Sequence, residues 1–200
     1  MAILNSIILS VVSILVINAY LMTFPFLKLR IEEYPPKYLI QRNNTFDMQR
    51  NKECAAYSTA YVLRHFGLNA EGDALYKNFP SKTRSGTIYT KGIRTVLKSY
   101  GYKTKYYKGS IQSLKYEVSK GIPVIVFIKV HKNQSALHFV PVVGYDEEYI
   151  YVSESLKELV NCDETGYNRK IPINEFKQLW DVKTLYMPFY SNTFVTVKNA

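Results

Sequence analysis

Cysteine is scarce in this chain, with only Cys54 and Cys162 among 200 residues. Two cysteines form at most one disulfide, which excludes the small secreted domains that several disulfides hold together. Histidine is equally scarce, with three residues, and none is paired with a cysteine at the short spacing that structural zinc sites use. The sequence therefore predicts neither a metal site nor any other cofactor.

Acidic residues are few relative to basic ones. The chain has 16 Asp and Glu against 26 Lys and Arg, which gives a formal net charge of +10 and a pI near 9.4. Such an excess favours polyanionic neighbours but does not define a fold. The hydrophobic share of 47% and the charged share of 21% are typical of a globular protein, and the length suits one domain with an appendage.

Charge is absent from the start of the chain, because residues 2–26 contain no Asp, Glu, Lys or Arg. A run of this length can cross a bilayer as a helix, which needs roughly 20 residues. No Lys or Arg precedes the run, whereas secretory signal peptides usually begin with one. We therefore predict that residues 1–26 are a transmembrane or signal-anchor segment that attaches the protein to a membrane, with secretion as the alternative.

The side of the membrane is open at this stage. Four basic residues follow the run, namely Lys28, Arg30, Lys37 and Arg42. The positive-inside rule would keep the domain cytoplasmic, whereas a surface role would need the opposite orientation. Residues 27–44 are polar and include Pro35-Pro36, which predicts an extended linker. The folded domain is then expected to occupy residues 45–200.

Hydrophobic periodicity predicts helices first and antiparallel strands afterwards, which indicates an α+β domain. The expected helices are 55–66, 91–100, 111–121 after a Ser110 cap, and 175–180, and the expected strands are 122–130, 138–145, 149–153 and 183–187. Asn51 is expected to cap the first helix, and Gly67 to end it. Pro141 inside the second strand predicts a sheet edge or a bulge there, because proline lacks the N–H that a strand ladder needs.

Cys54 lies at the start of the first predicted helix, where free backbone N–H groups and the helix dipole stabilise a thiolate. A histidine from elsewhere could act as its base. His65 lies at the far end of the same helix, about 16 Å away at 1.5 Å per residue, and is excluded. His131 lies in a polar loop, whereas His138 begins a strand and is the best candidate.

A hairpin between the second and third strands would bring the end of the third strand back to His138. Ser153, Glu154 and Ser155 could then reach the imidazole, and Glu154 carries the charge that stabilises an imidazolium. Gln49 lies just before the cysteine, and its amide could donate to an oxyanion beside the Cys54 backbone N–H.

Four segments together resemble the papain-like cysteine peptidases, in particular the bacterial branch of bacteriocin-processing (double-glycine leader) peptidases and their stand-alone relatives. The segments are QRNKECAAYSTAYVLRHFG, SIQSLKYEVSKGIPVIVFI, LHFVPVVGYDEEYIYVSES and IPINEFKQLWDVKTLYM. The resemblance implies a papain-like fold, with N-terminal helices packed on an antiparallel sheet, and peptide or protein substrates. It also implies Cys54 as nucleophile, His138 as general base, Glu154 as third member and Gln49 as oxyanion donor.

Two other classes of protein were weighed against the peptidase. Residues 98–109 interleave basic and aromatic side chains, as single-stranded nucleic-acid binders do, but a tyrosine-rich strand with solvated lysines is the simpler interpretation, and no nucleic acid is expected as a partner. A catalytically inactive, membrane-tethered binding or immunity protein could use the same fold as a scaffold. Cys162 lies in a polar stretch and is given no role.

Overall fold

The computed structural model describes residues 2–21, 23–29, 32–183 and 187–200, and within them it confirms the predicted α+β class. The helices are α1 (Ala2–Leu21), α2 (Cys54–His65), α3 (Gly72–Lys77), α4 (Thr90–Ser99), α5 (Ile111–Val118) and α6 (Ile173–Trp180), with a short 3-10 turn at Lys157–Leu159. The strands are β1 (Phe26–Leu27), β2 (Tyr38–Leu39), β3 (Lys103–Lys108), β4 (Val124–Lys129), β5 (Leu137–Tyr145), β6 (Tyr149–Val152), β7 (Arg169–Pro172) and β8 (Thr193–Lys198).

These strands form one sheet in the order β1-β3-β8-β4-β5-β6-β7, and β2 pairs with β5 outside that path. The β1–β3 pair is parallel and the other pairs are antiparallel. Side chains alternate between the faces of a strand, so β4 contributes to two cores. Ile125 and Phe127 pack with α2 and α4, while Val124 and Val126 pack with α5 and α6.

Most predicted elements are present, with shifts of a residue or more at their ends. Helix α2 is followed by Gly67, which has φ +87°, a left-handed conformation that glycine adopts without strain. Ser110 caps α5, since its side chain accepts from the Ser113 N–H at 3.2 Å. The prediction that Asn51 caps α2 was wrong, because the N-cap residue is Glu53. The predicted strand at 183–187 falls largely on residues 184–186, which lie outside the described residues.

Pro141 lies in the interior of the sheet, because β5 is paired on both sides, with β4 and with β6. The predicted sheet edge is therefore absent at this residue. The predicted bulge is close by: the β5–β6 register shifts by one residue between Val142 and Gly144, next to the proline. A register shift of this kind leaves one residue of the longer strand unpaired and increases the local twist.

The described parts of the segment predicted as a linker lie along the sheet. The β2 strand pairs with β5, and the Tyr145 hydroxyl donates to the Pro35 carbonyl at 3.0 Å. Before this segment, α1 is exposed over almost its whole length, and residues 3–20 are apolar enough to cross a membrane by length and composition. The fold therefore consists of a two-core domain, the segment that leads into it, and one exposed apolar helix.

Candidate active site

Cys54 is the first residue of α2 and lines a cleft with a volume of about 510 Å³. The first N–H groups of a helix have no partner within the helix, so they are available to an anion at this end. Apolar side chains form much of the cleft wall: Ile88, Phe127, Leu137 and Met187. His138 also lines this cleft, although it lies 84 residues after Cys54 in the chain.

Helix α2 is fixed against β5, the strand that carries the histidine. Nearly every residue of α2 is buried, and Ser58 donates its hydroxyl hydrogen bond to the Phe139 carbonyl at 2.9 Å. Phe139 directly follows His138, so this bond connects the cysteine helix to the backbone beside the imidazole. Both partners are buried, and water therefore cannot replace the bond if it is lost.

We expect Ser58→Ala to destabilise the protein by about 1–3 kcal/mol, because the Phe139 carbonyl would lose its buried donor. Chemical denaturation followed by circular dichroism measures the free energy of unfolding. Ser135→Ala is the matched control, since Ser135 is exposed and should change stability by less than about 0.5 kcal/mol. Equal stability of the two variants would contradict a structural role for the bond.

The His138 imidazole pairs with Glu154, with 2.7 Å between Nε2 and Oε1. The histidine is 1% exposed and the glutamate 1% exposed, so the pair is shielded from water. Since Nε2 faces Glu154, Nδ1 is the ring nitrogen left for Cys54, whose side chain interacts with the imidazole. Glu154 is therefore the residue that contacts His138, among the three consecutive candidates from the sequence.

Electrostatics favour the charged form of both partners. Burial alone would lower the pKa of His138, but the charge of Glu154 and hydrogen bonds with Cys54 and Glu154 raise that pKa to about 10. Burial alone would raise the pKa of Glu154, but the charge and hydrogen bond of His138, together with a backbone N–H and Arg169, lower it to about 2. At neutral pH the pair is thus an imidazolium and a carboxylate.

Glu154 is held by a cage of donors that sequence reasoning missed. Arg169 donates from Nη1 to Oε2 at 2.8 Å, and the N–H groups of Ser155 and Leu156 donate to Oε1 at 2.8 Å. The Asn168 side chain accepts from the Glu154 N–H at 2.6 Å and donates to its carbonyl at 2.8 Å. Asn168 and Arg169 follow a polar stretch, and nothing in their spacing indicates that the fold brings them to the carboxylate.

Gln49 lies at the same cleft and is tied to the residue that follows Glu154. The Gln49 N–H donates to the Ser155 carbonyl at 2.9 Å, and the Ser155 hydroxyl donates to Gln49 Oε1 at 2.7 Å. The Gln49 side-chain nitrogen donates one hydrogen to the Asn51 carbonyl, which leaves its second N–H for another acceptor. The four residues singled out from the sequence thus lie within one site.

The remaining histidines and the second cysteine lie elsewhere. His65 is buried at the far end of α2, where burial and the Arg42 charge lower its pKa to about 4. His131 is exposed in the loop before β5. Cys162 lies beside β7, and burial raises the pKa of its thiol. Among the described residues, no group of three or more His, Cys, Asp or Glu side chains could hold a metal ion.

Solved structures of bacterial peptidases share this fold. The peptidase domain of Streptococcus ComA, a bifunctional ABC transporter of a quorum-sensing pathway, has a TM-score of 0.59 and 16% identity over 77% of this chain and 96% of its own. A putative C39-like peptidase from Bacillus anthracis has a TM-score of 0.61 and 20% identity, over 84% and 100%. Xylellain, a cysteine protease from Xylella fastidiosa, has a TM-score of 0.60 and 15% identity, over 88% and 92%.

At these identities the structural likeness shows the fold, which is the papain-like cysteine peptidase fold that the sequence motifs predicted. No curated protein matches the sequence. A family model does match it, over residues 36–184, which is well over half of the chain and includes Gln49, Cys54, His138 and Glu154. The chain therefore belongs to the Peptidase_C39 like family.

Proposed function

We propose that the protein is a thiol hydrolase that cleaves peptide bonds with Cys54 as nucleophile, His138 as general base, Glu154 as the residue that orients and charges the imidazole, and Gln49 as an oxyanion donor. The observation that carries this proposal is the buried His138–Glu154 pair beside Cys54 at an open cleft. A buried ion pair adds little stability compared with apolar packing, so its presence next to a thiol points to chemistry.

The reaction begins from an ion pair in which Nδ1 of the His138 imidazolium already holds the proton of Cys54. The thiolate attacks the carbonyl carbon of a peptide bond, and the resulting oxyanion accepts hydrogen bonds from the Cys54 backbone N–H and the free N–H of Gln49. The imidazolium then protonates the leaving amine, which departs and leaves a thioester. Water, deprotonated by the now neutral His138, hydrolyses the thioester and restores the thiolate and the imidazolium.

In this reaction Glu154 acts through His138. Its Oε1 is 2.7 Å from Nε2, which fixes the ring with Nδ1 towards the cysteine and stabilises the imidazolium at each proton transfer. Arg169 and two backbone N–H groups hold the carboxylate ionised and in place. The substrate in this proposal is a peptide, with leader or signalling peptides as the expected class, because the family and fold are those of peptidases.

The proposal includes attachment to a membrane through α1. Two observations support an anchor that stays on the chain. The helix is exposed along its length, as a lipid-facing helix would be, and its last turns contact the domain, since the Tyr190 hydroxyl donates to the Asn18 carbonyl at 3.3 Å. A signal peptide that is removed after export would have no reason to pack on the mature domain.

Selective alkylation tests the thiol chemistry. In the full chain, iodoacetamide at about pH 5.5 is expected to modify Cys54 at least about tenfold faster than Cys162, because Cys54 begins α2 beside the His138 imidazolium, whereas burial raises the pKa of the Cys162 thiol. Mass spectrometry of the digested protein measures both rates. His138→Ala should remove the difference, and equally slow reaction of both cysteines in the unmodified chain would count against the hydrolase.

A further inference from the structure

The last turn of α1 is fastened to the domain. The Tyr190 hydroxyl donates to the Asn18 carbonyl at 3.3 Å, and Nζ of Lys91 lies 4.1 Å from the centre of the Tyr20 ring. Just beyond the helix, Nη1 of Arg94 donates to Thr23 Oγ1 at 2.8 Å. Because these contacts come from two parts of the domain, they restrict how the domain can turn relative to the helix.

The residues that follow α1 continue this attachment. Residues 26 and 27 form β1, which pairs with β3 at the edge of the sheet, and Nζ of Lys28 is 2.7 Å from a carboxylate oxygen of the buried Glu117. The Phe24 ring packs edge-on against Phe189, with 5.5 Å between ring centres. The chain therefore passes from the helix into the sheet through a short and well-contacted connection.

This connection carries an exposed apolar surface, which we call the juxtamembrane patch. Its members are each 38–82% exposed: Phe24, Phe26, Leu27, Leu29 and Phe189. The patch follows directly on a 20-residue apolar helix, whose length of about 30 Å matches the hydrocarbon core of a bilayer. Its continuity with that helix identifies the bilayer surface as what covers it, since amphipathic surfaces next to a membrane anchor lie in the headgroup region.

The candidate active-site cleft shares its walls with the segments that touch α1. Tyr89 and Met187 line the cleft. Lys91, which contacts Tyr20, is two residues from Tyr89, and Phe189, a member of the patch, is two residues from Met187. The Cα atoms of residues two positions apart in the chain are at most about 7.6 Å from each other, so this side of the cleft lies close to the end of α1.

We propose that the cleft opens at the bilayer surface and takes polypeptides held on that surface, either anchored in the same membrane or adsorbed to it, rather than peptides free in solution. This inference rests on the proposed function for the cleavage step. The short distance between the end of α1 and the cleft wall limits the length of substrate between the membrane and the cleft. About 10–15 Å of extended substrate chain is roughly three to five residues. The scissile bond is therefore expected about five residues from the part of the substrate that enters the lipid.

Confinement to the surface explains why such substrates would be preferred. A peptide held on the same membrane is present at a much higher effective concentration near the cleft than a free peptide at the same total amount. The domain also cannot rotate away from the membrane, because it contacts α1 through the Tyr190–Asn18 hydrogen bond and the segment after α1 through the Lys28–Glu117 ion pair. Attachment of the protein to the membrane thus favours substrates by their location at the bilayer as well as by their sequence.

The two native cysteines provide a test that does not require hydrolysis. The full chain is reconstituted in phosphatidylcholine and phosphatidylglycerol vesicles and treated either with a soluble maleimide or with a maleimide joined to a lipid headgroup by a spacer of about 15 Å. Cys54 faces the cleft, whereas Cys162 lies beside β7, five strand positions from β3, or about 24 Å at 4.8 Å per strand.

The lipid-tethered reagent is expected to raise the ratio of Cys54 to Cys162 modification at least about tenfold above the ratio given by the soluble reagent. Dividing by the soluble ratio removes the intrinsic reactivity of each thiol, so the result is independent of whether Cys54 is a nucleophile. The double variant Phe24→Ser, Arg94→Ala loosens the connection and should lower the excess. An unchanged ratio in the native chain would overturn the membrane-facing cleft.

A second measurement addresses the substrate itself. A quenched fluorescent peptide pool is attached to the same vesicles through a lipid anchor, with either about five or about forty residues between the lipid and the cleavable segment. The short spacer should be cleaved at least about tenfold faster than the long one or the free peptide. Equal cleavage rates for the three peptides would refute the proposed substrate class but not the hydrolase activity. If no peptide were cleaved while the lipid-tethered maleimide still favoured Cys54, the hydrolase activity alone would be refuted.

Discussion

Cys54→Ala is expected to abolish peptide hydrolysis, with a loss of at least about 10⁴-fold, because no other group in the cleft can form the thioester on which the proposed reaction depends. Folding should be preserved, since the residue is only half-buried and alanine suits a helix start. The rate is measured on a quenched fluorescent peptide pool with the full chain, and the unfolding transition is measured in parallel to show that the variant is folded.

Cys162→Ala is the matched control. It removes the same thiol group at a position beside β7, away from the cleft, and should leave the rate within about twofold of the unmodified protein. If Cys54→Ala instead retained the biological activity of the protein, the fold would serve as a binding scaffold, as in the alternative of an inactive membrane-tethered protein, and the hydrolase would be abandoned.

Glu154→Gln is expected to give the second large effect, a fall of about 10²–10⁴-fold in hydrolysis, because the amide cannot hold His138 as an imidazolium. It also leaves the buried Arg169 cation without its carboxylate, which should cost about 3–5 kcal/mol of unfolding free energy. Glu164→Gln makes the same chemical change at an exposed position and should alter neither quantity measurably.

The pH dependence gives this prediction a signature that misfolding alone would not produce. The pKa of His138 is raised to about 10, so its contribution to stability is complete below about pH 6.5 and is lost as pH rises through 10. The pKa of Glu154 is lowered to about 2, so its contribution is complete above about pH 4.5 and is lost as pH falls through 2. The stability difference between the unmodified chain and Glu154→Gln should therefore be largest between about pH 4.5 and 6.5.

The pH dependence of the hydrolysis rate should also change in Glu154→Gln. Without the carboxylate, burial lowers the pKa of His138, and the alkaline limb of the pH–rate profile is expected to move to lower pH in Glu154→Gln. An alkaline limb that stays in place in this variant, in a folded protein, would show that Glu154 does not act through the imidazole.

Local sequence was sufficient for the parts of the site that depend on helix and strand starts. Cys54 at the beginning of α2 and His138 near the beginning of β5 follow from hydrophobic periodicity and from the change between helical and strand patterns. The papain-like motifs added Gln49, whose place in the cleft depends on a loop that periodicity does not describe.

The residues that support the pair could not be predicted in the same way. Asn168 and Arg169 reach Glu154 only because β7 pairs with β6, and neither strand pairing nor a buried charge partner leaves a signal in local spacing. Likewise, the pairing of β2 with β5 is a contact between segments about a hundred residues apart. Such contacts depend on the tertiary fold, which overrides what a polar, proline-containing segment suggests by itself.

The single-residue register shift in β5 decides which side chain meets the imidazole. If the Gly144–Tyr151 alignment continued along the hairpin, odd-numbered Ser153 and Ser155 would share the side of the ribbon that carries His138. The Val142–Val152 alignment beyond the shift reverses this parity and turns Glu154 to that side, opposite Val140. The register shift thus favours an acid and not a hydroxyl as the partner of the imidazole.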